Sequence, residues 1–234
     1  MMIEDNEISY GTDGSVGTVI LQTDTLSISG ITALTDVLRS PGCEVLVLTS
    51  SGPDFCRGRS PGSRPTSAEQ ARREVLDPII GLYRAFGDAS CTVVSAVTGQ
   101  CLGLGFALAL SADVVVCEPG ASFSLPERRA GFPPLLAMSQ LSGIIPAAAL
   151  THLALSAEPI TARDLAAMGA VAVLAPAEDL PAVVEQRAAH LAEQGSVSRQ
   201  TVEFTRRQLT AQRRENFDVA RQVLGEVLGS PTGG

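Results

Sequence analysis

The sequence contains no lysine; all 17 of its basic residues are arginine. An absence that spans the whole chain reflects source composition, such as GC-rich codon usage, rather than a site. It also leaves no G-x-x-x-x-G-K-[ST] loop for a nucleotide triphosphate. Positive charge is scarce as well: 25 acidic residues give a formal net charge of −8, which argues against a nucleic-acid partner. No uninterrupted apolar run reaches the length of a membrane span. The first residues, Met1-Met2-Ile3-Glu4-Asp5, are acidic and unlike a signal peptide. A cytoplasmic protein with no membrane partner is the expectation. The five cysteines, at 43, 56, 91, 101 and 117, show no C-x-x-C spacing, which disfavours a disulfide framework or zinc site and predicts buried thiols.

What is present suits one full α/β domain. The chain has 234 residues, a hydrophobic fraction of 45% and a mean hydropathy of +0.22, enough to bury a core. Its most informative stretch is residues 92–127. Thr92 to Val97 is an apolar, β-branched run of strand length. Gly99, Gly103 and Gly105 then punctuate a turn, and a small, apolar segment at 106–112 reads as a buried helix. A second β-branched run, 114–116, follows Asp113, and the stretch closes on Ser124-Leu125-Pro126-Glu127. Amides at a helix start lack intrahelical partners and can hold an anion; a carboxyl nearby can move a proton.

Around this segment, strands are expected at 18–22, 43–48 and 171–174, with a short edge strand at 7–10 in an otherwise loose lead-in over 1–15. Helices are expected at 29–38, 68–86, 135–141, 147–155 and 161–168, the last with Thr161 as N-cap. Strand and helix alternate at a spacing that implies a parallel sheet. Residues 181–228 read as helical with a break near 194–196, and 230–234 as disordered. From Arg199 to Arg221 six arginines face three acids; a solvated face with local ion pairs is the simpler reading, a phosphate-binding rim the other.

The motifs in 92–127 resemble the core of the enoyl-CoA hydratase/isomerase, or crotonase, family. That family reads A-V-N-G-x-x-x-G-G-G, an apolar helix ending in C-D, then F-x-x-P-E. The matching residues are Ala96-Val97-Thr98-Gly99, Gly103-Leu104-Gly105, Ala112-Asp113 and Phe123-Ser124-Leu125-Pro126-Glu127. Upstream, Ser51-Gly52-Pro53-Asp54-Phe55-Cys56-Arg57-Gly58-Arg59-Ser60 resembles S-x-G-x-x-F-C-A-G-A-D. Downstream, Pro159-Ile160-Thr161-Ala162 and Met168-Gly169-Ala170-Val171 fit a further family block. The resemblance implies a crotonase-like ββα superhelix over residues 1–180, a C-terminal helical trimerisation or lid region over 181–234, and a homotrimer or hexamer.

It also implies a chemistry. The substrate would be an acyl thioester, carried by coenzyme A or by the phosphopantetheine of an acyl carrier protein, with no separate cofactor and no metal. The backbone N–H groups of Arg59 and Leu104 would form an oxyanion hole; an enolate becomes accessible when donors are aimed at its oxygen. Glu127 would be the acid/base. Arg57, Gly58, Gly103, Phe132, Pro134 and Leu135 would line the substrate site, and Glu127 would sit in an apolar cleft among Phe123, Leu125, Phe132 and Leu135. Tyr83 and Arg84 fall on a helix that borders the acyl pocket in the family. This sequence departs from the pattern in telling places. Leu104 and Leu135 replace glycines, and Ala107 stands where hydratases carry a first glutamate. A single carboxylate points to enoyl isomerisation. A dehydratase or decarboxylase of a specialised, polyketide-type pathway, or a catalytically weak binding or assembly subunit, is the alternative. His152 is expected to pack in an apolar helix and His190 to be solvated; Ser95 lacks a nucleophile-elbow context.

Overall fold

The computed structural model describes residues 3–4 and 6–230. Its main sheet has seven strands in the order β1-β2-β3-β4-β5-β7-β10. These are β1 (Ile3–Glu4), β2 (Ile8–Asp13), β3 (Val16–Leu21), β4 (Val45–Ser50), β5 (Thr92–Val97), β7 (Val114–Cys117) and β10 (Val173–Leu174). The first three pair antiparallel, and β3 through β10 are parallel. A second sheet joins β6 (Gln100–Leu102), β8 (Ser122–Ser124) and β9 (Ile160–Thr161).

The central strands are apolar on both faces because both faces are covered. Leu46, Leu48, Val93 and Val97 point into the main core, while Val45, Val47, Val94 and Ala96 pack on Leu180, Val184 and Ala188 of α8 (Leu180–Gln194). Alternation along each strand therefore divides one apolar run between two cores. α1 (Ile28–Arg39) begins at Ser27, whose hydroxyl accepts from the Gly30 amide. Thr161 caps α7 (Ala162–Ala167) in a reciprocal capping box with Asp164.

The lead-in is more ordered than its composition suggests, since β2 makes a six-residue ladder with β3. The expected helix at 68–86 is α2 (Ala68–Ala71), a π-helical segment (Arg72–Leu76) and α3 (Asp77–Asp88). Pro78 has no N–H to give the Glu74 carbonyl, and its ring would crowd that carbonyl in a regular α-turn. The widened segment just before it accommodates the proline. α4 (Leu104–Ala109) starts two residues earlier than expected, directly at the glycine turn. Then come α5 (Leu135–Leu141) and α6 (Ala147–Ser156). Gly195 separates α8 from α9 (Ser196–Gly229), which folds back along α2, α3 and α5. Of the expected disordered tail, 231–234 lie outside the described residues. No helix among the described residues is long and apolar enough to cross a membrane. Cys56, Cys91, Cys101 and Cys117 are buried free thiols and Cys43 is half-buried.

Candidate active site

The site is assembled where the 55–60 loop meets the glycine turn. Leu102 N–H donates to Cys56 O at 3.0 Å, Cys56 N–H to Gln100 O at 3.2 Å and Leu26 N–H to Gly58 O at 3.0 Å. Asp54 accepts from Gln100 N–H at 2.8 Å, and Glu118 from Gly99 N–H at 2.7 Å. These two acids brace the turn and do not line the cleft. Glycines are required in this turn by backbone contact, at Gly99, where a Cβ would stand 2.2 Å from Pro53 O, and at Gly105, and by positive φ at Gly103. A Cβ on Gly105 would stand 1.9 Å from Cys56 O, and one on Gly103, at φ +54°, would stand 2.6 Å from Glu127 Oε1.

Beside this junction lies a cleft of about 520 Å³, within the range of small-molecule sites. Arg57, Gly58, Arg59, Gly103, Leu104, Glu127, Phe132, Pro134 and Leu135, the nine residues singled out from the sequence, all line it. Gly103 N–H is spent on Ser124 O at 2.9 Å. Among the described residues, the amides of Gly58, Arg59 and Leu104 donate to no carbonyl, whereas those of Phe55, Cys56, Arg57 and Ser60 do. Amides free of carbonyl partners, from both the 55–60 loop and the start of α4, thus border the same cleft as one carboxylate. Leu104 is the first residue of α4, which is why its amide has no intrahelical partner.

Glu127 rides on a short 3-10 turn (Pro126–Ala130) that ends at Gly131 in the left-handed region. Its Oε2 is buried with no hydrogen-bond donor among the described residues. Burial pushes the carboxyl up to about 7, because desolvation disfavours the charged form. A carboxyl at that value can both take and give a proton near neutral pH. The surroundings differ in part from expectation. Phe132 and Leu135 border the carboxyl's cleft, but Phe123 and Leu125 point the other way into the core, where Phe123 meets Phe106 at 5.1 Å between ring centroids.

The charges at the cleft are differently committed. Arg57 lies near Asp24 and Asp54, at 3.6 and 3.9 Å. The Arg59 guanidinium donates to Ser60 O, and burial lowers its pKa. Arg129 donates to Ala157 O. Part of the wall was not foreseen from sequence: Val75, Leu76 and Ile79 from the π segment and α3, and Leu224 and Leu228 from α9. Tyr83 does line the cleft; it is buried, and burial together with the Glu127 charge raises its phenol well above the usual value. Arg84 is half-exposed on the far side, 3.9 Å from Asp218. Ala107 is fully buried in α4 and is not part of the cleft lining. His152 is exposed, contrary to expectation, because α6 turns that position outward; His190 is exposed as well. Ser95 is buried and donates to Ala109 O.

Known proteins share this architecture. The curated relatives include a (7aS)-7a-methyl-1,5-dioxo-2,3,5,6,7,7a-hexahydro-1H-indene-carboxyl-CoA hydrolase from Rhodococcus jostii, 31% identical over 163 residues, 68% of this chain and 62% of that protein. A probable enoyl-CoA hydratase from Rhodobacter capsulatus is 34% identical over 151 residues, 63% of this chain and 58% of that protein. The chain thus matches about three fifths of the length of these relatives. Among solved structures, an enoyl-CoA hydratase from Mycobacterium avium subsp. paratuberculosis superposes with a TM-score of 0.83 at 21% identity, covering 98% of this chain and 96% of that one. A putative enoyl-CoA hydratase from the same organism gives 0.79 at 26% identity, covering 96% and 92%. The sequence matches the enoyl-CoA hydratase/isomerase family profile over residues 23–230, nearly its whole length, and the chain belongs to that family.

Proposed function

We propose that this protein processes an acyl thioester, of coenzyme A or of a carrier-protein phosphopantetheine, through an enolate, and that Glu127 carries the proton. The observation that supports this most directly is the pairing of one carboxylate, its Oε2 buried without a donor, with unpaired backbone amides from two segments around one apolar cleft. The thioester oxygen would accept from the amides of Arg59 and Leu104. As charge builds on that oxygen, such donors are worth ~3–4 kcal/mol each in the transition state. Glu127 would remove a proton from one carbon and return it to another, which moves a double bond without adding water. Binding of a non-reactive thioester analogue, followed by turnover with and without Glu127, tests the reading.

The relatives' names speak of hydratases and a hydrolase, so addition of water is the reading to set against isomerisation. Ala107 favours isomerisation. Hydration gains from a second group that positions water, and this position offers a buried methyl. Crotonyl-thioester hydration is therefore expected to run ~10²–10⁴-fold slower than in a two-glutamate member, the usual contribution of one positioned acid/base. The rate measured beside Ala107→Glu checks this, and hydration by the unmodified protein at an ordinary hydratase rate would refute it.

The assembly belongs to the same reading. Val197, Phe204, Val219 and Val223 of α9 are between 41% and 67% exposed, more apolar surface than one helix ordinarily gives to water. A homotrimer, or a pair of trimers, would cover it. Sedimentation should show no monomer at micromolar concentration; a monomer alone would rule the assembly out.

A further inference from the structure

α9 carries Arg206, Arg213 and Arg221, spaced seven and eight residues apart, so that about two helical turns separate each from the next. The outer two are each held by a carboxylate in the same way. Arg206 offers Nε and Nη2 to the two oxygens of Asp113, and Arg221 offers Nε and Nη2 to the two oxygens of Asp77. Arg213 has the same Nε and Nη2 edge shut off from solvent, with no acceptor among the described residues. That planar pair of donors is shaped for a carboxylate or phosphate.

Space and charge accompany the vacancy. Arg213 borders a cavity of about 310 Å³, separate from the catalytic cleft, that is also lined by Arg84, Arg214, Asp88 and Gln140. Three arginines line it against Asp88, and even with Asp218 3.9 Å from Arg84 the spot is positive on a chain of net charge −8. Gln140 gives its amide N–H to Ser111 Oγ at 2.9 Å, but its Oε1 is buried without a donor. Tyr83, which stacks on Phe217 at 5.9 Å, is shared by this cavity and the cleft.

We propose that this cavity is a binding site for an oxyanion, a carboxylate or a phosphate, toward which the Arg213 guanidinium turns its unpartnered edge on binding. The oxyanion is either a free small ion or a side-chain carboxylate of a second copy of the chain. Inorganic phosphate is the probe, titrated at constant ionic strength while Tm is followed. A ligand that binds only the folded state raises Tm in a saturable way. The wild type, Arg213→Gln and Arg187→Gln are compared, Arg187 being an exposed arginine on α8. For a free ion, phosphate raises Tm in the wild type and in Arg187→Gln and leaves Arg213→Gln unmoved. For a carboxylate from a second copy, phosphate does nothing, but Arg213→Gln sediments as a smaller species than the other two. Phosphate that moves none of the proteins, or all three equally, with unchanged sedimentation, overturns the proposal. Should Arg213→Gln fail to fold, Arg84→Gln takes its place, since Arg84 lines the same cavity from α3.

Discussion

Glu127→Gln should leave the binding of a thioester analogue within a few-fold and reduce turnover by ~10²–10⁴. The amide keeps the shape of the side chain and removes the carboxylate proposed to accept the proton. The same variant has a second, independent signature. In the folded protein the carboxyl titrates at about 7, against 4.5 ordinarily. Between those values the unfolded chain gives up its proton while the folded one keeps it, so stability falls as pH rises. The cost is absent below about 4.5 and complete above about 7, where it amounts to about 3 kcal/mol. Glu127→Gln removes it. The variant should therefore unfold at a higher Tm than the wild type at pH 8 and at the same Tm near pH 4. Turnover that survives the substitution nearly intact would make Glu127 structural; a Tm difference independent of pH would mean that the carboxyl is not buried as described.

Asp113→Asn should destabilise the fold by about 3–5 kcal/mol, as expected when a buried ion pair loses one partner. Arg206 would keep its bonds to the carbonyls of Ala89 and Cys91, but its charge would be uncompensated. Both side chains are about nine-tenths buried. Burial holds the Asp113 carboxyl above its usual range in spite of the arginine, a sign that the pair costs nearly as much to dehydrate as it returns. Replacing both partners, Asp113→Leu with Arg206→Met, removes the uncompensated charge but strips the Val93 N–H and the carbonyls of Ala89 and Cys91 of their partners, so it should recover only part of the loss. Chemical denaturation of the wild type, both single variants and the double variant measures this. A single-variant loss below about 1 kcal/mol would contradict the account.

The glycine turn, the 55–60 loop and the P-E motif were legible because each is local. The Cys56 carbonyl leaves no room for a Cβ at 105, a positive φ beside the Glu127 side chain favours glycine at 103, and a free amide follows from being first in a helix. The far wall was not legible. Leu224 and Leu228 reach the cleft through the path of α9, a tertiary fact with no signature in their own neighbourhood. Phe123 was misplaced because β8 is three residues long, too short for its alternation to show which face meets the core. The whole second sheet escaped for the same reason. His152 differs from expectation because α6 is rich in alanine and leucine all round, so that its sequence marks no buried face.

The division of labour between the glycine turn and α9 bears on how such a protein can change. The amides and the carboxylate sit on short segments locked by backbone contacts, where even a methyl group at Gly105 has no room. Leu224 and Leu228 wall the same cleft from a separate helix. On the proposed function, variation at 224 and 228 reshapes the far wall of the cleft while the amides and Glu127 are left in place. A library confined to positions 224 and 228 would sample new substrates at little risk to the chemistry.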